Sequence, residues 1–373
     1  MNFIWQHIER ITGSYDGSLP LPHFLKDYYK QYPILGSRDR RMLSEMAFCW
    51  YRSAKWVDES LPLKEKIEAA LHICEADEKM IKRLFPTSGF DINNIKLNEN
   101  NGFPFNISLS EGITKNDWLQ STLKQPRLFI RARRDKKFIL SILQQKNVDA
   151  SFITDTCITI PNGTAINNWL PEDGYVVQDA SSQLTGTFFK PQQGEYWWDS
   201  CSGAGGKSLL LKDLEPSVHL TVSDTRKSIL YNLGKRFKLY KHTPPTTLLV
   251  DVADDSSLQK AMGNKKFDAI ICDVPCSGSG TWARTPEQMY FFDPESVGNF
   301  AKKQLAIANN AAQYLKPGGR LFYITCSVFR QENEDVVAQL VKSSELTIEA
   351  TQLINGIEHH ADSMFITVLR KEG

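Results

Sequence analysis

No run of apolar residues in this sequence approaches the ~20 needed to cross a bilayer. The first residues, MNFIWQHIERITG, lack a charged start followed by a long apolar stretch, so a secretory signal is not expected. These absences predict a soluble, cytoplasmic protein that does not engage a membrane. Cysteine is scarce, at 7 in 373 residues, and the odd count rules out a fully paired disulfide framework. No two CxxC pairs occur, so the spacing for a structural zinc ion is missing and no metal is expected. Most of the thiols should be reduced and inert in the core. There is no internal repeat and no low-complexity tract. Aromatic residues are spread along the whole chain, which excludes extended disorder.

A net charge of +1 conceals an asymmetry. Residues 1–150 hold 23 Lys and Arg against 18 Asp and Glu, and the remainder holds 21 against 25. A basic front half joined to an acidic back half suits a polyanion-binding platform attached to a catalytic domain. At this length two or three domains are expected. Apolar residues recur at helical spacing through much of residues 1–85, with prolines as punctuation. Residues 87–117, rich in Asn, Gly and Ser, read as a connection. A short mixed unit follows, with a strand at 128–132, a helix at 136–145 and β-branched alternation at 151–160. From about residue 174 strands and helices alternate. The β-rich runs are 195–201 (EYWWDSC), 219–224 (HLTVSD), 246–251 (TTLLVD), 267–273 (FDAIICD) and 320–326 (RLFYITC). That alternation predicts a parallel sheet covered by helices on both faces, an α/β fold whose ligands bind beyond the carboxyl ends of the strands. An acidic or sulfur residue closes each of these five runs.

The segment from Asp199 to Lys207 follows the first run and opens a helix. Gly203, Gly205 and Gly206 let the backbone approach a ligand, and the helix start presents free N–H groups. Cys201, Ser202, Gly203, Ala204, Gly205, Gly206 and Lys207 are therefore candidates for holding a cofactor. A phosphate loop is the rival reading, since CSGAGGKS nearly matches GxxxxGK[ST] and Asp273 would then bind magnesium. Against it, Cys201 replaces the first glycine. Nor does a phosphate site need Asp224, which stands where an acid holds a ribose diol, or Asp251, placed to meet an adenine amine. Either aspartate alone reads equally well as a helix cap. Together with the glycine loop and Asp273, they favour a neutral-to-cationic nucleoside cofactor.

Two cysteines lie among turn residues where ligands bind: Cys276 in DVPCSGSG and Cys326 in TCS. Cys49, Cys74, Cys157 and Cys272 have ordinary neighbours. The segments QDASSQL (178–184), DSCSGAGGKS (199–208), DVPCSGSGTWARTPE (273–287), GGRLFYITCSVFRQENEDVV (318–337) and DSMFITVLRK (362–371) resemble, in order, the motifs of the Sun (RsmB-like) family of RNA cytosine-5 methyltransferases. Residues 37–52 resemble that family's NusB-like helical domain, and 126–137 its small RNA-contacting domain. The family's CAAPGGKT is CSGAGGKS here, and the helical domain is shorter than usual. The resemblance implies a class I methyltransferase (Rossmann-like) catalytic domain at 174–373. It also implies an all-helical NusB-like domain and connection at 1–100 and a small α/β RNA-contacting domain at 101–173. S-adenosylmethionine is the implied cofactor, with ribosomal RNA as first substrate and transfer RNA as second. The chain is expected to act as a monomer.

Carbon 5 of cytosine is too weak a nucleophile to take a methyl group unaided. A thiolate adding to carbon 6 activates it, an instance of covalent catalysis. Cysteine serves because sulfur both attacks and leaves well. Asp273 is the candidate to hold the base edge near ring nitrogen 3. By spacing alone either cysteine fits the attacking role. The resemblance implies Cys326 as nucleophile and Cys276 as the residue that assists product release; the reverse assignment stays open. Lys207 has four readings: contact with the cofactor, orientation of Asp273, proton donation to the base, or a solvated helix start. Arg284 reads as substrate-facing or as a surface residue. Arg127, Arg131, Arg133, Arg134, Lys136 and Lys137, with Phe129 and Phe138 among them, read by themselves as an ordinary solvated strand and helix face. With the downstream motifs they form the expected footprint for RNA phosphates and bases. A target base must leave its stack to enter a pocket, so looped or melted RNA is the expected substrate. Two other classes remain: an RNA-binding module with a decayed catalytic domain, and a phosphate-loop ATPase.

Overall fold

A computed structural model describes residues 2–87, 97–133 and 135–373. They divide into two compact units. The first gathers the described residues up to Ile107 with Thr114–Gln125 and Thr281–Pro294. It holds α1 (Asn2–Ser14), α2 (Leu21–Gln31), α3 (Ser37–Ser53), α4 (Leu63–Ile73), α5 (Glu78–Leu84), α6 (Glu99–Gly102), α7 (Lys115–Thr122) and, from later in the chain, α13 (Pro286–Tyr290). Apolar residues at helical spacing converge on one core, including Ile8, Ile11, Leu25, Leu43, Met46 and Leu71. Arg52 is buried, and its guanidinium donates to the Ala283 carbonyl and to Gln125 Oε1 at 2.5 Å. One side chain thereby joins three stretches far apart in sequence. Of the 87–117 connection, residues 88–96 lie outside the described residues; α6 and the start of α7 occupy part of the rest.

The second unit contains two sheets. A four-stranded antiparallel sheet has the order β2-β3-β1-β4, from β1 (Leu128–Ala132), β2 (Ser151–Phe152), β3 (Cys157–Ile160) and β4 (Tyr175–Val177). Its core joins Ile130, Ile158 and Ile160 to Ile139 and Leu143 of α8 (Lys136–Gln145). After α9 (Ala180–Leu184) comes the larger sheet. Its elements are β5 (Tyr196–Asp199), α10 (Gly206–Leu214), β6 (His219–Asp224), α11 (Lys227–Leu239), β7 (Thr246–Leu249), α12 (Asp255–Met262), β8 (Phe267–Asp273), α14 (Glu295–Ala312), β9 (Leu315–Thr325), α15 (Glu334–Ser343), β10 (Leu346–Ile354) and β11 (Met364–Lys371).

The seven strands are ordered β10-β11-β9-β8-β5-β6-β7. The five from β5 to β9 run parallel, and β11 and β10 add an antiparallel edge that strand–helix alternation does not announce. Successive strand residues face opposite sides. Trp197, Ala269, Ile271 and Phe322 therefore pack with Leu209 of α10 and Leu233 of α11. Their neighbours Trp198, Ile270 and Leu321 pack instead with Leu258 of α12, Ile307 of α14 and Val336 of α15. Burial on both faces explains why these strands read as nearly continuous apolar runs. Among the described residues, no helix is long and apolar enough to cross a membrane.

Candidate active site

The carboxyl edge of the parallel strands collects most of the residues expected to act. Between β5 and α10 the chain turns through Gly205, whose φ of 78° lies in the left-handed region. A Cβ there would come within 2.9 Å of Leu233, so glycine is required both by conformation and by space. The Ser202 N–H donates to Ser223 O (2.9 Å), Gly205 N–H to Ser202 O (2.8 Å), and Gly203 N–H to Asp224 Oδ2 (3.2 Å). A phosphate loop aims such N–H groups at its ligand; here three of them are turned to the protein itself. Lys207 is 7 % exposed and donates to Asp273 Oδ2 at 2.6 Å, so it is not a solvated helix start. These two observations count against the ATPase reading.

Asp224 also accepts from the Arg226 N–H (2.9 Å) and guanidinium (3.0 and 3.1 Å). Burial opposes its ionisation, but Arg226 and the Gly203 N–H hold its carboxyl below the usual value. Asp251 accepts from the Ala253 N–H at 3.0 Å, with Lys303 Nζ 3.9 Å from its other oxygen. Each aspartate thus caps the turn after its strand, while Asp224 also grips the glycine loop. Cys201 packs against the core cluster of Trp198 and Cys272, and burial pushes its thiol well up.

The loop after β8 carries Cys276, and the residue after β9 is Cys326. Their sulfurs are 3.2 Å apart. A Cβ on Gly280 would stand 2.2 Å from the Ser363 carbonyl oxygen and 3.0 Å from that of Cys326, so glycine is what lets these three segments close together. Gly280 N–H donates to Cys326 O, and Ser363 N–H donates to Gly280 O. The hydrogen bond with Cys326, followed by burial and the Glu332 charge, raises the Cys276 thiol well above its ordinary value. Cys276 therefore keeps its proton. Cys49, Cys74, Cys157 and Cys272 are buried, as their neighbours imply.

Two features escaped the sequence reading. Asp199 at the end of β5 is fully enclosed and accepts from Ser208 Oγ at 2.6 Å; burial pushes it up to about 7. Its Oδ1 has no hydrogen-bond partner. Glu332, also enclosed, lies beneath both cysteine loops and accepts from Ser277 and Ser327. The acids in QENED carried the only sequence signal for it.

The RNA footprint is divided. Arg131 is 4 % exposed; its guanidinium donates to Asp213 Oδ2 (2.5 Å) and Gln178 Oε1 (3.0 Å). Arg133 donates to the same Asp213, to Asp173 O and to Tyr240 O, with His242 against it. Both are thus internal tie points rather than phosphate contacts, because a buried carboxylate on α10 claims them. Phe129 is buried too, whereas Phe138 is 55 % exposed. Arg127 reaches Thr159 and Asp149, Lys136 pairs with Asp155, and Lys137 is exposed. Arg134 lies outside the described residues. Arg284 belongs to the helical unit.

Residues 186–369 match the family described as 16S rRNA methyltransferase RsmB/F. Ribosomal RNA small subunit methyltransferase B of Shewanella oneidensis is 28% identical over 228 residues, covering 59% of this chain and 52% of that protein. The enzyme of that name from Enterobacter sp. (strain 638) is 32% identical, covering 48% of this chain and 42% of that one. The matched stretch thus spans about half the length of these relatives. The crystal structure of PH0851 has a TM-score of 0.71 at 19% identity, covering 94% of this chain and 95% of that one. NSun6 from Pyrococcus horikoshii with SFG has a TM-score of 0.60 at 14% identity, covering 69% and 94%. At these identities the structures establish the fold, a class I, Rossmann-like methyltransferase sheet with an N-terminal helical region. Residues 186–369, which carry the motifs around both cysteines, thus place this part of the chain with the RsmB/F methyltransferase family.

Proposed function

We propose that this protein is an S-adenosylmethionine-dependent RNA methyltransferase that modifies carbon 5 of a cytosine through a covalent cysteine adduct, with ribosomal RNA as its substrate. The observation that carries the reading is the Cys276–Cys326 pair, 3.2 Å apart at the strand edge that also bears the Lys207–Asp273 ion pair. The names of the curated relatives support RNA methylation. A neighbouring fold bound to SFG, a cofactor analogue, supports the choice of cofactor. The residues fit that group. Space is open beside Gly203, where an added Cβ would meet nothing within 4 Å, and the Asp224 carboxylate is held against the loop by the Gly203 N–H. Residues 201–207 with Asp224 and Asp251 would hold it. When bound, it supplies a methyl group activated by a sulfonium.

The protein's own residues do the rest. The raised Cys276 thiol suits a proton donor to the neighbouring sulfur, so Cys326 is read as the residue that attacks carbon 6, as its thiolate. The attack forms the sulfur–carbon bond and moves electron density onto the ring. Asp273, sharing a proton with ring nitrogen 3, holds the base edge as that charge develops, with the Lys207 ammonium beside it. After transfer a base takes the carbon 5 proton, and the electrons of that bond re-form the carbon 5–carbon 6 double bond. The carbon 6–sulfur bond breaks to free the Cys326 thiolate, and Cys276 assists release. The segments 1–100 and 101–173 are read as the helical and RNA-contacting domains that bring the substrate to 174–373.

A denaturing-gel trap tests the proposal. Wild type, Cys276→Ala and Cys326→Ala proteins are incubated with S-adenosylmethionine and RNA from cells lacking the gene. Cys276→Ala should accumulate an RNA adduct that survives denaturation, and Cys326→Ala should not. A reversed pattern moves the nucleophile to Cys276. Absence of both adduct and methyl transfer removes the methyltransferase reading.

A further inference from the structure

The two cysteine loops leave the sheet from adjacent strands, and one buried side chain grips both. Glu332 sits on the 3₁₀ turn Arg330–Glu332 just ahead of α15 and is wholly inaccessible. Its Oε1 accepts from the Ser277 N–H at 2.8 Å and from Gln304 Nε2 at 3.0 Å. Its Oε2 accepts from the hydroxyls of Ser277 and Ser327, each at 2.5 Å. Ser277 follows Cys276, and Ser327 follows Cys326. The carboxylate therefore holds the residue after each thiol, Ser277 through both oxygens and Ser327 through Oε2.

Supporting bonds fix the carboxylate in turn. Gln304 of α14 also donates to Pro275 O, and the Tyr323 hydroxyl donates to Glu332 O at 2.5 Å and to Gln304 Oε1 at 3.1 Å. Burying a carboxylate is expensive unless all its oxygens are satisfied. Four donors meet that condition here. Backbone hydrogen bonds alone, such as Gly280 N–H to Cys326 O, suffice to close a loop. A buried charge does something they do not: it discriminates between a neighbouring thiol and a thiolate.

We infer that Glu332 is a positioning residue that fixes the spacing of the two thiols and, through its charge, keeps the proton on Cys276 while Cys326 attacks. The inference rests on the covalent mechanism proposed above for its role in turnover, but not for its effect on the thiols. The titratable groups set against Cys276 are Cys326 from the loop after β9, Glu332 from the turn before α15, and the Tyr323 hydroxyl from β9 itself. Of these, Glu332 alone can lose its charge without touching the sulfur pair.

The test uses the full chain and a reagent that needs no RNA. Iodoacetamide alkylation of Cys276 and Cys326 is followed by peptide mass spectrometry across pH in wild type and Glu332→Gln, which keeps the side chain's shape. In Glu332→Gln the midpoint for Cys276 should fall by about one pH unit, since a neighbouring like charge has been removed. Single-turnover methyl transfer should slow by about tenfold while the KM for RNA stays within about twofold, the pattern of an interaction made in the transition state. A purely architectural role would lower the melting temperature and leave the alkylation midpoints in place. Unchanged midpoints in folded Glu332→Gln overturn the inference whatever the transfer rate. Shifted midpoints in a protein that transfers no methyl group sustain the effect on the thiols and sink the mechanism instead. Should Glu332→Gln fail to fold, Ser327→Ala takes its place, removing one donor and leaving the charge. Slower transfer at an unchanged melting temperature and without a lowered Cys276 midpoint then supports the inference; wild-type transfer, or slower transfer only with a lowered melting temperature, overturns it.

Discussion

Asp199 illustrates how one side chain makes stability depend on pH. Burial raises its carboxyl to about 7, while in the unfolded chain it titrates near the ordinary value of about 4. Between those values the folded state holds a proton that the unfolded state has lost. Stability is therefore complete below about pH 4, falls by about 1.4 kcal/mol per pH unit, and levels off above 7. Asp199→Asn cannot ionise and should remove this slope. Urea unfolding at several pH values checks it: the variant should gain on wild type as pH rises, and parallel curves would refute the assignment. Gly280 makes a purely steric prediction. An added Cβ would lie 2.2 Å from the Ser363 carbonyl oxygen, backbone that cannot rotate away. Gly280→Ala should cost about 1–3 kcal/mol of stability, as overpacking does. It should also alter alkylation of Cys326, whose carbonyl accepts from the Gly280 N–H. A variant matching wild type in both melting and alkylation would show that the loop yields.

At the scale of elements, Asp213 ties β1 to α10. Burial opposes its ionisation, yet His242, Arg133 and Arg131 hold its carboxyl well below the usual range. The linkage has the opposite sign to that of Asp199: this stability is present above the unfolded value and lost as pH falls through the lower folded one. Asp213→Asn leaves two enclosed guanidinium groups facing each other and should cost about 3–5 kcal/mol. Denaturant unfolding near neutral pH measures it, and a loss below 1 kcal/mol would mean that water or local rearrangement satisfies the arginines. This cluster also marks a limit of sequence reading. The run from Arg127 to Lys137 looks uniformly basic because a sequence shows charge but not partners, and Asp213 stands about eighty positions further on. The parallel strands were legible since two-sided burial writes itself as apolar runs, and the glycine loop since turn geometry demands specific residues. The antiparallel edge of β10 and β11 was not. Between its buried ends β10 is mostly exposed with no alternation of buried and exposed positions, and its pairing with β11 is a long-range choice.

For the whole molecule, the question is which cations remain to meet RNA. The basic excess of residues 1–150 implies electrostatic attraction to a polyanion. The internal pairing of Arg131 and Arg133 shifts that work to other side chains, of which Lys136 and Lys137 lie at the start of α8 beside exposed Phe138. Lys136 pairs with an exposed acid, Asp155, an interaction worth little in water. Binding of single-stranded RNA releases counterions in proportion to the phosphates contacted, with a slope of log K against log salt of about 0.7 per contact. Lys136→Ala combined with Lys137→Ala should therefore flatten that slope by about 1.4 and weaken binding most at low salt. Arg131→Ala should instead lower the melting temperature and leave the slope as in wild type. Fluorescence anisotropy across a salt titration, with melting curves on the same samples, separates the two. If the double variant keeps the wild-type slope, this part of the basic run is an ordinary solvated face. If Arg131→Ala flattens the slope while remaining folded, its guanidinium exchanges Asp213 for phosphate when RNA binds, and the buried pair is a latch rather than a fixed tie.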